Sequence, residues 1–127
     1  MNDYQNYSLL KHNTFAIAAR CRRFVEYASE TEAQALSQQL KDTDRPLLII
    51  GSGSNLLLTT DYYDGTVIHS VIKGMEMYET VDGTGDVLLR CGSGEVWDEV
   101  VEYMVEQGWQ GAENLSLIPG EVGASAI

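Results

Sequence analysis

The sequence predicts an α+β fold. Three observations carry that prediction: a strand–helix–strand unit over residues 24–50, two later strand segments with a hairpin signal between them, and a strongly amphipathic helix after them. The 127 residues suit one domain or part of a larger one, and 44% apolar with 21% charged side chains is ordinary globular composition.

The elements follow in order. "FVEYA" (24–28) is a β-branched and aromatic run, read as a strand. Ser29 to Glu32 has the S-x-x-E spacing of a capping box, in which serine and glutamate satisfy each other's N–H groups. A helix should follow with Ala33, Leu36 and Leu40 on one face, ended by the polar stretch 41–45 and Pro46. "LLII" (47–50) is apolar on both faces, which suits a central parallel strand better than an exposed one. "GTVIHSVIKGMEMYETV" and "DVLLRCG" read as strands joined around Asp82-Gly83-Thr84-Gly85. "SGEVWDEVVEYMVEQG" (93–108) is the clearest helix. Val96, Trp97, Val100, Val101, Met104 and Val105 make one broad apolar stripe, Ser93 is a candidate cap, Glu95 and Asp98 suit the positive end of the dipole, and Gly108 offers a left-handed stop. There is no internal repeat, low-complexity tract or linker.

Composition excludes several classes of function. A net charge of −11 argues against nucleic acid as a partner, because the chain could not displace counterions along a phosphate backbone. Cys21 and Cys91 lie far apart without a CxxC pattern and read as reduced, packed thiols. His12 and His69 form no metal-ligand spacing. The first fifteen residues lack the basic and apolar regions of a signal peptide, and no apolar run approaches a membrane span. The expectation is a soluble cytoplasmic protein with no membrane partner.

Two loops carry the candidate chemistry. In "GSGSN" (51–55), Gly51 and Gly53 permit backbone angles that turn successive N–H groups into one concavity, a nest for an anion, and Ser54 and Asn55 add side-chain donors. A dinucleotide fingerprint would need a third glycine at position 56, which is Leu, and the Gly-Lys-Ser/Thr of a P-loop is absent. On local pattern alone, an ordinary tight turn is the simpler reading. In "LIPGEVGAS" (117–125), Pro119-Gly120 fits the centre of a type II turn, and Gly123, Ala124 and Ser125 keep the backbone bare enough for a flat ligand to approach. A purely structural loop is the competing reading. The chain then stops at Ile127 just after this Gly-rich turn, and it is expected to be an N-terminal piece of something longer.

Taken together, "KHNTFAI", "IIGSGSNLLL", "GTVIHSVIKG" and "CGSGEVWDEVVEYMVEQGWQGAENLSLIPGEVGAS" resemble the N-terminal FAD-binding part of the UDP-N-acetylenolpyruvoylglucosamine reductase (MurB) family, in order and over nearly the whole chain. The resemblance implies a vanillyl-alcohol-oxidase (PCMH-type) FAD-binding domain, a small parallel βαβ lobe against an antiparallel lobe with the dinucleotide between them. Residues 1–127 would be its N-terminal portion, incomplete at the C-terminus, with the substrate-binding domain absent. Ile50, Gly51, Ser52, Gly53, Ser54 and Asn55 match the family's pyrophosphate loop; Ile118, Pro119, Gly120, Gly123, Ala124 and Ser125 match its second flavin-contacting loop. The first loop has no histidine, so the FAD should be non-covalent. Family members usually read "NTFGI" where this chain has Ala16.

The activity implied is reduction of UDP-N-acetylglucosamine enolpyruvate to UDP-N-acetylmuramate in peptidoglycan synthesis, with hydride from NADPH by way of FAD and a proton from a serine. The implied arginine, tyrosine-bearing loop, serine and glutamate have no matching positions before Ile127, so no catalytic residue is assigned here. The piece alone is expected to be inactive, and apolar surface left where further strands belong is a place for self-association. Gly53→Val is expected to weaken FAD binding more than folding. The rival of a different class is a stand-alone ligand-binding or structural module sharing the architecture.

Overall fold

A computed structural model of the chain describes residues 1–79 and 84–125. It divides into two compact units, Met1–Ile72 and Lys73–Ile127.

The first unit is built on a four-stranded sheet. Its strands are β1 (Asn2–Ser8), β2 (Arg20–Tyr27), β3 (Leu47–Ile50) and β4 (Tyr62–Ser70), in the order β1-β2-β4-β3. β1 runs antiparallel to β2, and β4 lies parallel to both β2 and β3. Helix α1 (Glu30–Gln39) connects β2 to β3. Alternation along the strands gives each face its own core. On one face Val25 and Ile68 pack with Leu36 of α1, and Tyr27 and Leu40 flank them. On the other, Phe24, Cys21, Val67 and Ile50 pack with Leu9, and with Leu56 and Leu58 from the segment after β3. Fully burying side chains of this size stabilises by about 1.5–3 kcal/mol each.

α1 starts as expected at Ser29, whose hydroxyl accepts from the Glu32 N–H at 3.2 Å. The glutamate does not close the expected box on Ser29. Its carboxylate reaches one residue further, to the Ala28 N–H at 2.8 Å, and also meets the amino terminus of Met1. Those two donors hold the Glu32 carboxyl below its ordinary pKa.

"LLII" is parallel, as expected, but it is not central. β3 is an edge strand of the sheet, with Ile49 75% exposed. The central position belongs to β4, where Gly65 to His69 are buried in succession. α1 packs its Leu36 on Val25 and Ile68 of β2 and β4, and so leaves the outer side of Ile49 in solvent.

In the second unit, β5 (Met75–Glu79) pairs antiparallel with β6 (Val87–Cys91), from Met75↔Cys91 to Glu79↔Val87. The stretch expected to be one strand from Gly65 onward is therefore two, β4 and β5, assigned to different units. The hairpin is present; Asp82 and Gly83 of its predicted turn lie outside the described residues, while Gly85 has φ +78°.

Helix α2 (Trp97–Glu106) begins later than Ser93, and Val96 occupies the cap position with no side-chain cap bond. Asp98 and Glu99 stand in its first turn, whereas Glu95 precedes the helix and accepts from the Gly74 N–H at 2.6 Å and from Lys73 at 3.2 Å. The Gly74 contact is the main reason the Glu95 pKa is lowered. Of the predicted stripe, Val100 and Val101 are buried while Val105 is 52% exposed. The stop is as expected. Gly108 has φ +76°, its N–H donates to Val105 O at 2.9 Å, and the Trp109 N–H donates to Met104 O at 3.0 Å, a Schellman closure.

Candidate cofactor-binding loops

The first candidate loop leaves the end of β3. Ile50 is a core residue, paired with His69 and packed among Phe24, Val67 and Leu9, so it anchors the loop rather than lining it. The chain then passes through 51–55 and returns Leu56 and Leu58 to the same core, with Leu57 left outside. That alternation explains why an apolar run resumes directly after a polar turn.

Of the two glycines only Gly53 takes a left-handed angle, φ +76°. Its bare side does not open into a concavity. A Cβ there would lie 2.0 Å from His12 O and 2.6 Å from the His12 carbonyl carbon, so Gly53 is what lets the loop press against the turn at 12–14. Gly53→Val, expected to weaken FAD binding more than folding, would also cost folding, because the new side chain would collide with the His12 backbone. Among the described residues, the backbone N–H groups of Ser52, Gly53 and Asn55 have no intramolecular acceptor, and the exposed side chains of Ser52 and Asn55 make no hydrogen bond. A short loop presenting several amides fits a phosphate, which successive N–H groups can hold without a lysine.

The turn beneath is held by Asn13, which is 6% exposed. Its amide donates to Leu9 O at 2.8 Å and Ile17 O at 3.1 Å, and its oxygen accepts from the Ile17 N–H at 2.8 Å. Ala16, where the related family usually has glycine, sits at φ +52°. The departure noted in the sequence thus falls at a left-handed position, which costs an alanine about 1 kcal/mol more than a glycine.

A titratable cluster adjoins this turn, unforeseen in the sequence because its members are far apart. His12 lies 4.6 Å from Phe24 and 5.7 Å from His69, ring centre to ring centre. His12 Nε2 is 3.4 Å from the Tyr7 hydroxyl, and His69 Nδ1 is 3.3 Å from Glu26 Oε1. Burial, with His69 alongside, holds the His12 pKa below its ordinary value. No group of three or more His, Cys, Asp or Glu fit to hold a metal ion occurs among the described residues.

The second candidate loop belongs to the second unit, and it is fastened to the start of α2. Trp97 Nε1 donates to Leu115 O at 2.9 Å, and Asp98 accepts from the Leu117 N–H at 2.6 Å. The segment before α2 pairs with the loop: Trp97 N–H to Gly120 O at 3.0 Å, Val122 N–H to Glu95 O at 2.9 Å and Gly123 N–H to Ser93 O at 2.9 Å. The bareness of Gly123 serves that pairing, since a Cβ would lie 2.8 Å from Ser93 Cβ. The N–H groups of Ala124 and Ser125 turn inward to Glu121 O and Val122 O. The amides of Ile118 and Gly120 have no intramolecular acceptor among the described residues. Gly120 has φ +134°, Leu117 stands at φ +62° with 83% of its surface exposed, and Ile118 is 47% exposed. A non-glycine residue held left-handed beside exposed apolar side chains is strain of the kind found at ligand sites.

The family described as FAD binding domain matches residues 21–127. The chain belongs to that family. Curated relatives agree with this assignment. A UDP-N-acetylenolpyruvoylglucosamine reductase from Bacteroides fragilis is 52% identical over 123 residues, covering 97% of this chain and 36% of the relative. One from Porphyromonas gingivalis is 44% identical over 128 residues, covering 100% of this chain and 37% of the relative. The chain thus spans little more than a third of these relatives. A crystal structure of UDP-N-acetylenolpyruvylglucosamine reductase (MurB) from Thermus caldophilus matches with a TM-score of 0.66 at 20% identity, over 98% of this chain and 40% of that one, which shows the fold. The mixed sheet, antiparallel hairpin and two helices are the α+β, PCMH-type arrangement of an FAD-binding domain. Both cysteines are free, and burial pushes both thiols up. Among the described residues, no helix is long and apolar enough to cross a membrane.

Proposed function

We propose that this chain is the N-terminal, FAD-holding part of a cytoplasmic UDP-N-acetylenolpyruvoylglucosamine reductase that uses NADPH as reductant. The observation that carries the proposal is the 52% identity to the Bacteroides fragilis enzyme over 97% of the chain. The loop at Gly51, Ser52, Gly53, Ser54 and Asn55 would take the pyrophosphate through the amides of Ser52, Gly53 and Asn55, which have no intramolecular acceptor among the described residues. Ile118, Pro119 and Gly120, with the turn through Gly123, Ala124 and Ser125, would border the flavin. FAD supplies the capacity to accept and donate a hydride; this chain's contribution is to bind it, orient it and exclude water around it. The first loop has no histidine to tether the cofactor, so binding is non-covalent.

The test uses the full-length protein. It should purify yellow, release its flavin to the supernatant on acid precipitation, and oxidise NADPH only when the UDP-linked enolpyruvyl sugar is present. Flavin retained in the pellet would overturn the non-covalent assignment, and NADPH oxidation indifferent to the sugar would overturn the substrate.

A further inference from the structure

We propose that Thr14 is the positioning residue of the 51–55 loop. Its hydroxyl holds the Ser54 carbonyl and so turns the Asn55 amide behind it toward a diphosphate ligand. The proposal rests on reading that loop as the pyrophosphate site and goes beyond it by naming what shapes the loop.

Thr14 reaches the loop twice. Its N–H donates to Gly53 O at 3.3 Å, and its hydroxyl donates to Ser54 O at 3.3 Å. In a trans peptide the carbonyl and the following N–H point in opposite directions. Holding Ser54 O toward Thr14 therefore directs the Asn55 N–H away from it, and that amide is among those with no intramolecular acceptor. The Gly53 carbonyl also accepts from the Leu56 N–H at 3.4 Å, so the Thr14 hydroxyl acts through the Ser54 carbonyl.

The platform under Thr14 is rigid. Asn13 next to it is buried and makes three hydrogen bonds that cross-brace residues 9 and 17. Leu9 is fully buried in the first core, and Gly53 meets the backbone of His12 and Asn13 directly. Thr14 itself is exposed and belongs to neither core cluster, so its hydroxyl can be removed without opening a cavity. The recognised chemistry is a dinucleotide diphosphate, and the hydroxyl acts on it only through the loop.

Thr14→Val keeps the shape and the backbone N–H but deletes the hydroxyl, while Thr14→Ser keeps the hydroxyl. FAD would be titrated into flavin-free full-length protein, with ADP as a competitor that carries the diphosphate without the flavin. Loss of one orienting hydrogen bond should weaken FAD about tenfold in Thr14→Val, leave Thr14→Ser within about twofold of wild type, and weaken ADP by the same factor as FAD. Melting of the flavin-free protein should hardly move in either variant. Unchanged FAD affinity in Thr14→Val, with wild type binding normally, would overturn the positioning role and leave the loop reading standing. A Val variant that melts early and is not matched by recovery in the Ser variant would mark Thr14 as structural and overturn the proposal too. A wild-type protein that takes up no FAD would remove the loop reading and this inference with it.

Discussion

Gly53 and Gly108 form a natural experiment in what a glycine is for. Both have φ +76°, so an added Cβ meets the same torsional penalty at each. Around Gly108 there is nothing within 4 Å of that Cβ, whereas at Gly53 it would lie 2.0 Å from His12 O. Gly108→Ala should therefore cost only the left-handed penalty, about 1 kcal/mol. Gly53→Ala must also move backbone, and the total should reach roughly 3 kcal/mol or more. Urea unfolding of the flavin-free protein compares them; equal losses would show that the 12–14 turn yields freely and that the close approach is unimportant. The same turn carries a pH dependence. Because burial beside His69 lowers the His12 pKa, the unfolded chain takes up this proton more readily than the folded one. Stability from His12 is thus complete above the ordinary value of 6.5 and is lost as pH falls below it toward the folded pKa. The groups facing His12 are His69, Tyr7 and Glu26, and of these Glu26 opposes the shift. His12→Gln should flatten the fall in melting temperature between about pH 7.5 and pH 5.5. A variant that loses as much on acidification as wild type would remove His12 from the account.

At the scale of elements, local chemistry was legible and neighbour relations were not. Ser29 as a cap, Gly108 as a stop and the pairing of Met75–Glu79 with Val87–Cys91 each depend on residues a few positions apart, and all three are present. The rank of the strands is not legible in hydropathy, which measures the side chains and not the neighbours. "LLII" is the most apolar run in the first unit yet lies at an edge. β4, carrying Thr66 and His69, is buried on both faces. β4 tolerates those groups because His69 finds Glu26 across the β2 pairing, although Thr66 Oγ1 has no partner among the described residues. The same blindness applied to the candidate loops. Glycine content marked both as places where the backbone must come close to something. At Gly53 and Gly123 that something is His12 and Ser93 of the chain itself. Among the described residues, the amides of Ser52, Gly53 and Asn55 in the first loop and of Ile118 and Gly120 in the second have no intramolecular acceptor. No sequence pattern marks Thr14, an exposed threonine forty positions from its acceptor.

For the molecule as a whole, the question is how a chain of net charge −11 holds an anionic dinucleotide. The loop proposed for the pyrophosphate contains no lysine or arginine, so attraction there would come from N–H dipoles at contact range. The repulsion comes from the summed field of many carboxylates and acts over longer distances. Salt treats the two unequally. With a Debye length of about 10 Å at 0.1 M and about 3 Å at 1 M, added salt screens the distant carboxylates and hardly touches amides in direct contact with the phosphate. The affinity of the full-length protein for FAD should therefore rise or hold steady as sodium chloride is raised from about 0.05 M to about 0.5 M, with the gain mainly in the association rate. A site that grips its phosphates with exposed lysines would do the opposite and lose affinity over the same range. Titration of flavin fluorescence at several salt concentrations gives the slope directly. A steep fall in affinity would mean that cations, not the amides of Ser52, Gly53 and Asn55, supply the grip, and the dipole account of the loop would have to be abandoned.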